Sequence, residues 1–153
     1  MEAELNNLVT WLEVNEVKVS SYLPEKPIDH PVLSKTGIIE NIIASVKNGN
    51  LNAIELACDL TIQNKHIPFG KIIKSNIFEA LKKQEKYINA GYREQLANLA
   101  IKYLNAPYPA KETKSLCRLL KQFEPKYSEQ VINNVSSSTE EANRWVKYLG
   151  QKL

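Results

Sequence analysis

The chain has 153 residues, 43 % hydrophobic, 24 % charged and 8 % aromatic, with five Gly and seven Pro. That balance describes one folded domain with an apolar core and excludes collagen-like, low-complexity and disulfide-stapled chains. Net charge is +3 but uneven: residues 1–64 hold four Lys against nine acids, and the remainder sixteen basic residues against eight acids.

Residues 5–14 place Leu5, Leu8, Val9 and Leu12 at helical spacing beside Trp11, which predicts a short amphipathic helix. Residues 17–33 read as a linker or a wrapping arm, because Pro24, Pro27 and Pro31 remove backbone donors and favour extended geometry. The organisation expected is therefore residues 1–33 as an N-terminal helix and arm packed on a helical domain of residues 34–153. Ser34 or Thr36 can cap the next helix, whose apolar stripe is Ile38, Ile39, Ile42, Ile43 and Val46. Asn48-Gly49-Asn50 ends it with residues that tolerate the left-handed conformation, and Asn50 can cap a following helix carrying Leu51, Ile54, Leu56, Ala57, Leu60 and Ile62.

Pro68 suits the first turn of a third helix bearing Ile72, Ile73, Ile77, Phe78 and Leu81, with Gly70 in its opening turn. Residues 92–104 bring Leu96, Leu99, Ala100, Tyr103 and Leu104 to one side, until Ala106-Pro107-Tyr108-Pro109 breaks the helix. Leu116, Cys117, Leu119, Leu120 and Phe123 mark another, and Tyr127, Val131, Ile132 and Val135 a further short one. Ser138 with Glu141 forms a capping box that opens a last helix, which carries Trp145, Val146 and Leu149 and closes at Gly150. The pattern is all-α, with seven or eight helices and no strand.

A shift of 39 residues sets Pro68-Phe69 on Pro107-Tyr108, Ile77 on Leu116, Phe78 on Cys117 and Leu81 on Leu120, with Leu60 over Leu99 and Ile62 over Ile101 before them. This repeated helix, proline-aromatic turn and helix resembles the HEAT and armadillo type of α-solenoid over about residues 34–123. The resemblance implies antiparallel helix pairs stacked as a short array, with a scaffold or binding role and no particular ligand. It departs from a regular HEAT unit in lacking an Asp and Arg pair at fixed positions, so an irregular helical bundle is the alternative architecture.

Function is read as binding rather than catalysis. Gly70, Lys71 and Lys74 open a helix whose backbone N–H groups, with Phe69 before them, could hold an anion. Lys111, Lys114 and Arg118 repeat the basic character later, next to Tyr108. If equivalent helices lie side by side, the Lys71/Lys74 and Lys111/Lys114 rows make a basic face for an acidic protein surface, as in a small adaptor or regulatory protein. Nucleic acid is the alternative partner, with Tyr87, Tyr92, Tyr103 and Tyr108 available to stack on unpaired bases. A hydrolase-type site built from Glu55, Asp59 and His66 is the third reading, with Glu40 on the preceding helix; neighbouring carboxylates can divide acid and base work when their environments differ.

No catalytic motif, metal-ligand spacing or cofactor signature is recognisable in the sequence. Cys58 and Cys117 stand in apolar helical patterns without a CxxC, which reads as two buried thiols of a reducing compartment. The acidic start Met1-Glu2-Ala3-Glu4 and the lack of a membrane-length apolar run give the expectation of a cytoplasmic protein without a membrane partner. The apolar ends of an uncapped array allow self-association.

Overall fold

In the computed structural model, residues Ser20–Tyr22, 31–63 and 70–151 are described, with side chains from residue 37 in the first helix and from residue 73 in the third. Among the described residues there are seven α-helices and no strand: α1 (Pro31–Lys47), α2 (Leu51–Ile62), α3 (Gly70–Lys83), α4 (Ala90–Asn105), α5 (Thr113–Lys121), α6 (Pro125–Asn134) and α7 (Glu140–Gly150). Single 3-10 turns occur at Ser20–Tyr22 and Glu85–Tyr87. No described helix is long and apolar enough to cross a membrane.

Local chemistry sets the helix ends. α1 begins at Pro31, three residues before the expected Ser34 cap, because a proline in the first turn has no N–H to lose and its φ is already helical. Residues 31–33 therefore belong to the helix and not to the arm. After Lys47 the chain reverses through Gly49 at φ 80°, which donates to Val46 O at 2.9 Å while Asn50 N donates to Ser45 O at 3.0 Å. Glycine takes that φ at no steric cost because it has no Cβ. Asn50 then caps α2, its side chain accepting from Ala53 N at 2.9 Å, and Asn89 caps α4 through Tyr92 N in the same way. At α7 the cap is Thr139 rather than Ser138: Thr139 Oγ1 accepts from Ala142 N at 3.2 Å, and Ser138 offers its carbonyl to the Asn143 amide. Four consecutive hydroxyl-bearing residues, Ser136 to Thr139, make the capping position ambiguous in sequence; burial of Ala142, Trp145 and Leu149 selects the frame.

Packing alternates along the chain. α1 packs on α3, α3 on α5 and α5 on α7, while α2 packs on α4 and α4 on α6. Contacts between α1 and α2, α2 and α3, α4 and α5, α5 and α6, and α6 and α7 join the two sets. The core lies between them, with Ile39, Ile42, Ile54, Leu56, Leu60, Ile77, Phe78, Leu81, Leu96 and Leu104 fully enclosed. Each such side chain contributes about 1.5–3 kcal/mol through removal of its apolar surface from water. The positions that the 39-residue shift superposes also agree in environment: Ile77 and Leu116, Phe78 and Cys117, and Leu81 and Leu120 are all buried, while Ile62 and Ile101 are both partly buried.

The described turn of the arm is held against this frame. Tyr22 is buried, its hydroxyl lies 3.2 Å from Asn50 Oδ1 and accepts from Asn52 Nδ2, and its carbonyl accepts from Asn41 Nδ2 at 2.8 Å. Tyr22 thus ties the arm to α1 and to the start of α2. Both cysteines are free and buried, as their apolar surroundings in sequence imply.

Candidate functional site

Helix α5 packs against α3, α4, α6 and α7. Six of its nine residues, Thr113, Ser115, Leu116, Cys117, Leu119 and Leu120, are buried. The three that are not buried, Lys114, Arg118 and Lys121, are all cations at i, i+4 and i+7, so they form one stripe along the helix. Lys111 precedes them in the turn and is exposed, and Tyr108 before it is 92 % exposed. Pro107 and Pro109 on either side restrict the backbone that presents the ring. Among the described residues, no ion pair engages Lys111, Lys114 or Arg118.

The second basic row does not form as expected. Lys74 is 6 % exposed and its Nζ lies 3.9 Å from Glu112 Oε1, across the α3–α5 interface. Burial lowers its pKa, and the Glu112 charge offsets part of that. The reason is register: Lys74 corresponds to the buried Thr113, 39 residues on, and not to Lys114. One residue along a helix turns the side chain through about 100°, which moves it from solvent to core. The α3 positions that do correspond to Lys114, Arg118 and Lys121 are Ser75, Glu79 and Lys82, so the neighbouring row is mixed in charge. Lys71 lies in α3 by its backbone, but its side chain and Phe69 fall outside the described residues.

The aromatic residues divide similarly. Tyr103 is buried and hydrogen-bonded to the Glu112 carboxylate, and burial with that negative neighbour raises its pKa. Tyr92 donates to Asp59 Oδ1 at 3.1 Å, with its pKa raised to about 12 by desolvation and by Asp59. Tyr87 and Tyr108 are the exposed members of the four. Asp59 is thus engaged by Tyr92, Glu55 and Glu40 face solvent, and His66 lies outside the described residues, as do His30 and Trp11. Among the described residues, no group of three His, Cys, Asp or Glu side chains could hold a metal ion.

Lys121 ends the stripe and begins a second feature. Its ammonium donates to Tyr148 O at 3.0 Å, to Leu149 O at 3.2 Å and to Gln151 O, the carbonyls at the C-terminal end of α7, and lies over the Tyr148 ring. A cation there satisfies acceptors that have no intrahelical donor and complements the helix dipole. Beside it opens a cleft of ≈ 630 Å³ between the end of α5, the face of α6 and the end of α7. Phe123, Pro125, Ile132 and Leu149 supply its apolar wall, and Lys121 and Glu129 its charges. The sequence gives no warning of this cleft, because its wall is assembled from three helices.

No family model, no curated protein and no solved structure matches the chain.

Proposed function

We propose that the chain is a short HEAT-like α-solenoid acting as a non-enzymatic protein-interaction module, which engages an acidic protein surface through Lys111, Lys114 and Arg118 with Tyr108 as an aromatic anchor. The alternate packing of odd and even helices supports the stacked-pair architecture, as does the shared burial of positions 39 residues apart. The observation that carries the function is the composition of α5: every position not needed by the core is cationic. Lys121 has a structural task at the end of α7, but stability does not require cations at Lys114 and Arg118, where any polar residue would keep the helix face solvated. Lys74 has no part in the site, because it is spent on Glu112.

An acidic protein fits better than an unpaired nucleic acid strand. Strand binding without sequence readout needs a series of stacking rings along a basic track. Two of the four candidate rings are instead engaged with carboxylates, and the neighbouring row on α3 includes Glu79. Charge on the stripe would set association rate and partner choice, with Tyr108 supplying contact area.

The test compares wild type with Lys114→Glu/Arg118→Glu and Tyr108→Ala in affinity capture. In parallel, fluorescence anisotropy with short single- and double-stranded RNA and DNA is run at about 50 and about 200 mM salt, an interval over which several phosphate contacts lose orders of magnitude in affinity. A captured protein with an acidic surface, lost with the charge reversal and weakened by Tyr108→Ala, is expected. Tight, salt-steep nucleic-acid binding abolished by the same charge reversal would replace this function with the nucleic-acid one.

A further inference from the structure

We infer that the edge where the α1–α2 and α3–α4 turns meet docks on the surface of an anionic lipid bilayer. Leu51 and Tyr87 enter the headgroup region, and Lys47, Lys82, Lys83 and Lys86 reach the negative headgroups around them. This edge is separate from the α5 stripe and does not rest on the proposed function.

Packing brings the two turns together. α1 ends at Lys47 and α3 at Lys83, and the Gln84 side-chain amide donates to Lys47 O at 3.1 Å. A Cβ on Gly49 would lie 3.8 Å from Gln84 Oε1, so the α1–α2 turn rests against the same side chain. Leu51, the first residue of α2, and Tyr87, which closes the 3-10 turn Glu85–Tyr87, therefore stand at one end of the helix pairs. They are 59 % and 48 % exposed, and with Tyr108 they are the exposed large hydrophobic residues among those described. Leaving such side chains in water gains the fold nothing.

The charge around them has one sign. Lys47, Lys83 and Lys86 are exposed and Lys82 is partly so, and among the described residues no ion pair engages any of the four. Lys86 Nζ lies 5.1 Å from the Tyr87 ring centroid. The one acid between them in sequence, Glu85, is 3.6 Å from Arg93 and already balanced. Glu55, Glu79 and Glu94 are set back from the edge, four residues past Leu51, four before Lys83 and four past Ala90, about 6 Å along their helices. The helix dipole favours lysine in a last turn, but it does not account for the two exposed apolar side chains beside them.

A bilayer fits this arrangement better than an acidic protein or a nucleic acid. Side chains on turns that end helices meet a plane before the helix faces do. At that plane Tyr sits at headgroup level, Leu reaches the acyl boundary, and lysine stems extend to the anionic headgroups. Unlike the α5 stripe, these four cations include no Arg, the cation enriched where proteins meet. A nucleic-acid strand is held by successive stacked rings, which Leu51 cannot supply. The contact stays at the membrane surface and needs no spanning helix.

Flotation of the full chain with phosphatidylcholine vesicles, with and without phosphatidylserine, tests this at about 50 and about 200 mM salt. Binding is expected to the vesicles that contain phosphatidylserine and to weaken with salt. Lys83→Glu/Lys86→Glu should weaken it by more than about twentyfold, at roughly fivefold for each lysine withdrawn from an anionic surface. Leu51→Ser/Tyr87→Ser should weaken it several-fold at both salt concentrations, since that part of the contact is not screened. All four positions are at the surface, and circular dichroism checks that the variants keep their helical content. Absence of vesicle binding at the lower salt overturns the inference. So does an equal loss with Lys114→Glu/Arg118→Glu, which would mean attraction by overall positive charge. A protein or nucleic acid lost with Lys83→Glu/Lys86→Glu, where vesicles are not bound, would give this edge a different partner. None of these results decides capture through the α5 stripe, which its own variants test.

Discussion

Lys74 Nζ and Glu112 Oε1 face each other at 3.9 Å with both side chains 8 % exposed, so a charge pair is enclosed where α3 meets the turn that opens α5. Glu112 also accepts the Tyr103 hydroxyl, which brings α4 into the same contact. Three helices thus share one buried carboxylate. At this separation and exposure the attraction between the charges is largely offset by the water each has given up, so the pair specifies how the helices fit more than it adds stability.

Removal of one partner should therefore cost more than removal of both. Lys74→Met leaves Glu112 buried without its cation and is expected to destabilise the fold by about 3 kcal/mol. Lys74→Met with Glu112→Gln should recover most of that loss. Urea unfolding monitored by circular dichroism reads both, and a double variant no more stable than the single one would contradict the expectation.

Next to Glu112, the Thr113 hydroxyl is buried with no hydrogen-bond partner. Thr113→Val exchanges it for a methyl group of similar size, so the desolvation cost disappears while the packing is kept. A gain of about 1 kcal/mol is expected in the same urea experiment. A loss would mean that the hydroxyl has a role not visible in its surroundings.

Desolvation raises the pKa of both thiols, Cys58 and Cys117, from 9.0 to about 12, with the negative Asp59 and Glu55 adding to the effect at Cys58. The folded chain holds both protons where the unfolded chain releases them. Their stability contribution is therefore complete below pH 9.0 and is lost as pH rises toward about 12. Each thiol contributes a slope of about 1.4 kcal/mol per pH unit in that window. Lys74, whose pKa is lowered, acts in the opposite sense as pH rises toward 10.5. The difference between wild type and Cys58→Ala/Cys117→Ala isolates the thiols: the variant should be less stable at neutral pH and lose less on going alkaline, as followed by urea midpoints across pH.

Arg93 links segments distant in the chain. Its guanidinium donates to Ile88 O and Glu85 O, each at 2.8 Å, and to Glu124 Oε2 at 3.0 Å, and it lies 4.6 Å from the Phe123 ring centroid. The 3-10 turn before α4 and the joint between α5 and α6 are thereby fastened to α4. Arg93→Ala should cost about 2–3 kcal/mol, because two backbone acceptors and the ring face lose their partner together. Arg93→Lys should recover little, since one ammonium cannot reproduce the planar fork. Differential scanning calorimetry of the two variants distinguishes a fork from a simple charge.

Much of the local structure is legible in the residues. The apolar stripe of α1, the Gly49 reversal, the Asn50 cap and the proline-aromatic break after α4 each follow from short-range sterics and hydrogen bonding, which neighbours in sequence supply. The burial of Cys58 and Cys117 follows from the apolar periodicity around them. Such periodicity also identifies the helices, since a helix must bury one face and the apolar residues of these segments repeat near 3.6 residues.

Which lysine meets solvent is a different kind of question. Lys74 and Lys114 occupy similar-looking places after a proline-aromatic turn, yet they differ by one residue in register, and only the packing of α3 against α5 sends one into the core and leaves the other outside. The cleft beside Lys121 likewise has no signature in any single segment, because its walls come from α5, α6 and α7. Sequence by itself determined the helices, their caps and the uneven distribution of charge, all set by interactions within a few residues. Tertiary structure alone decided which charges are neutralised, which remain free and where an apolar surface is left open, because those depend on what each helix face meets across the chain.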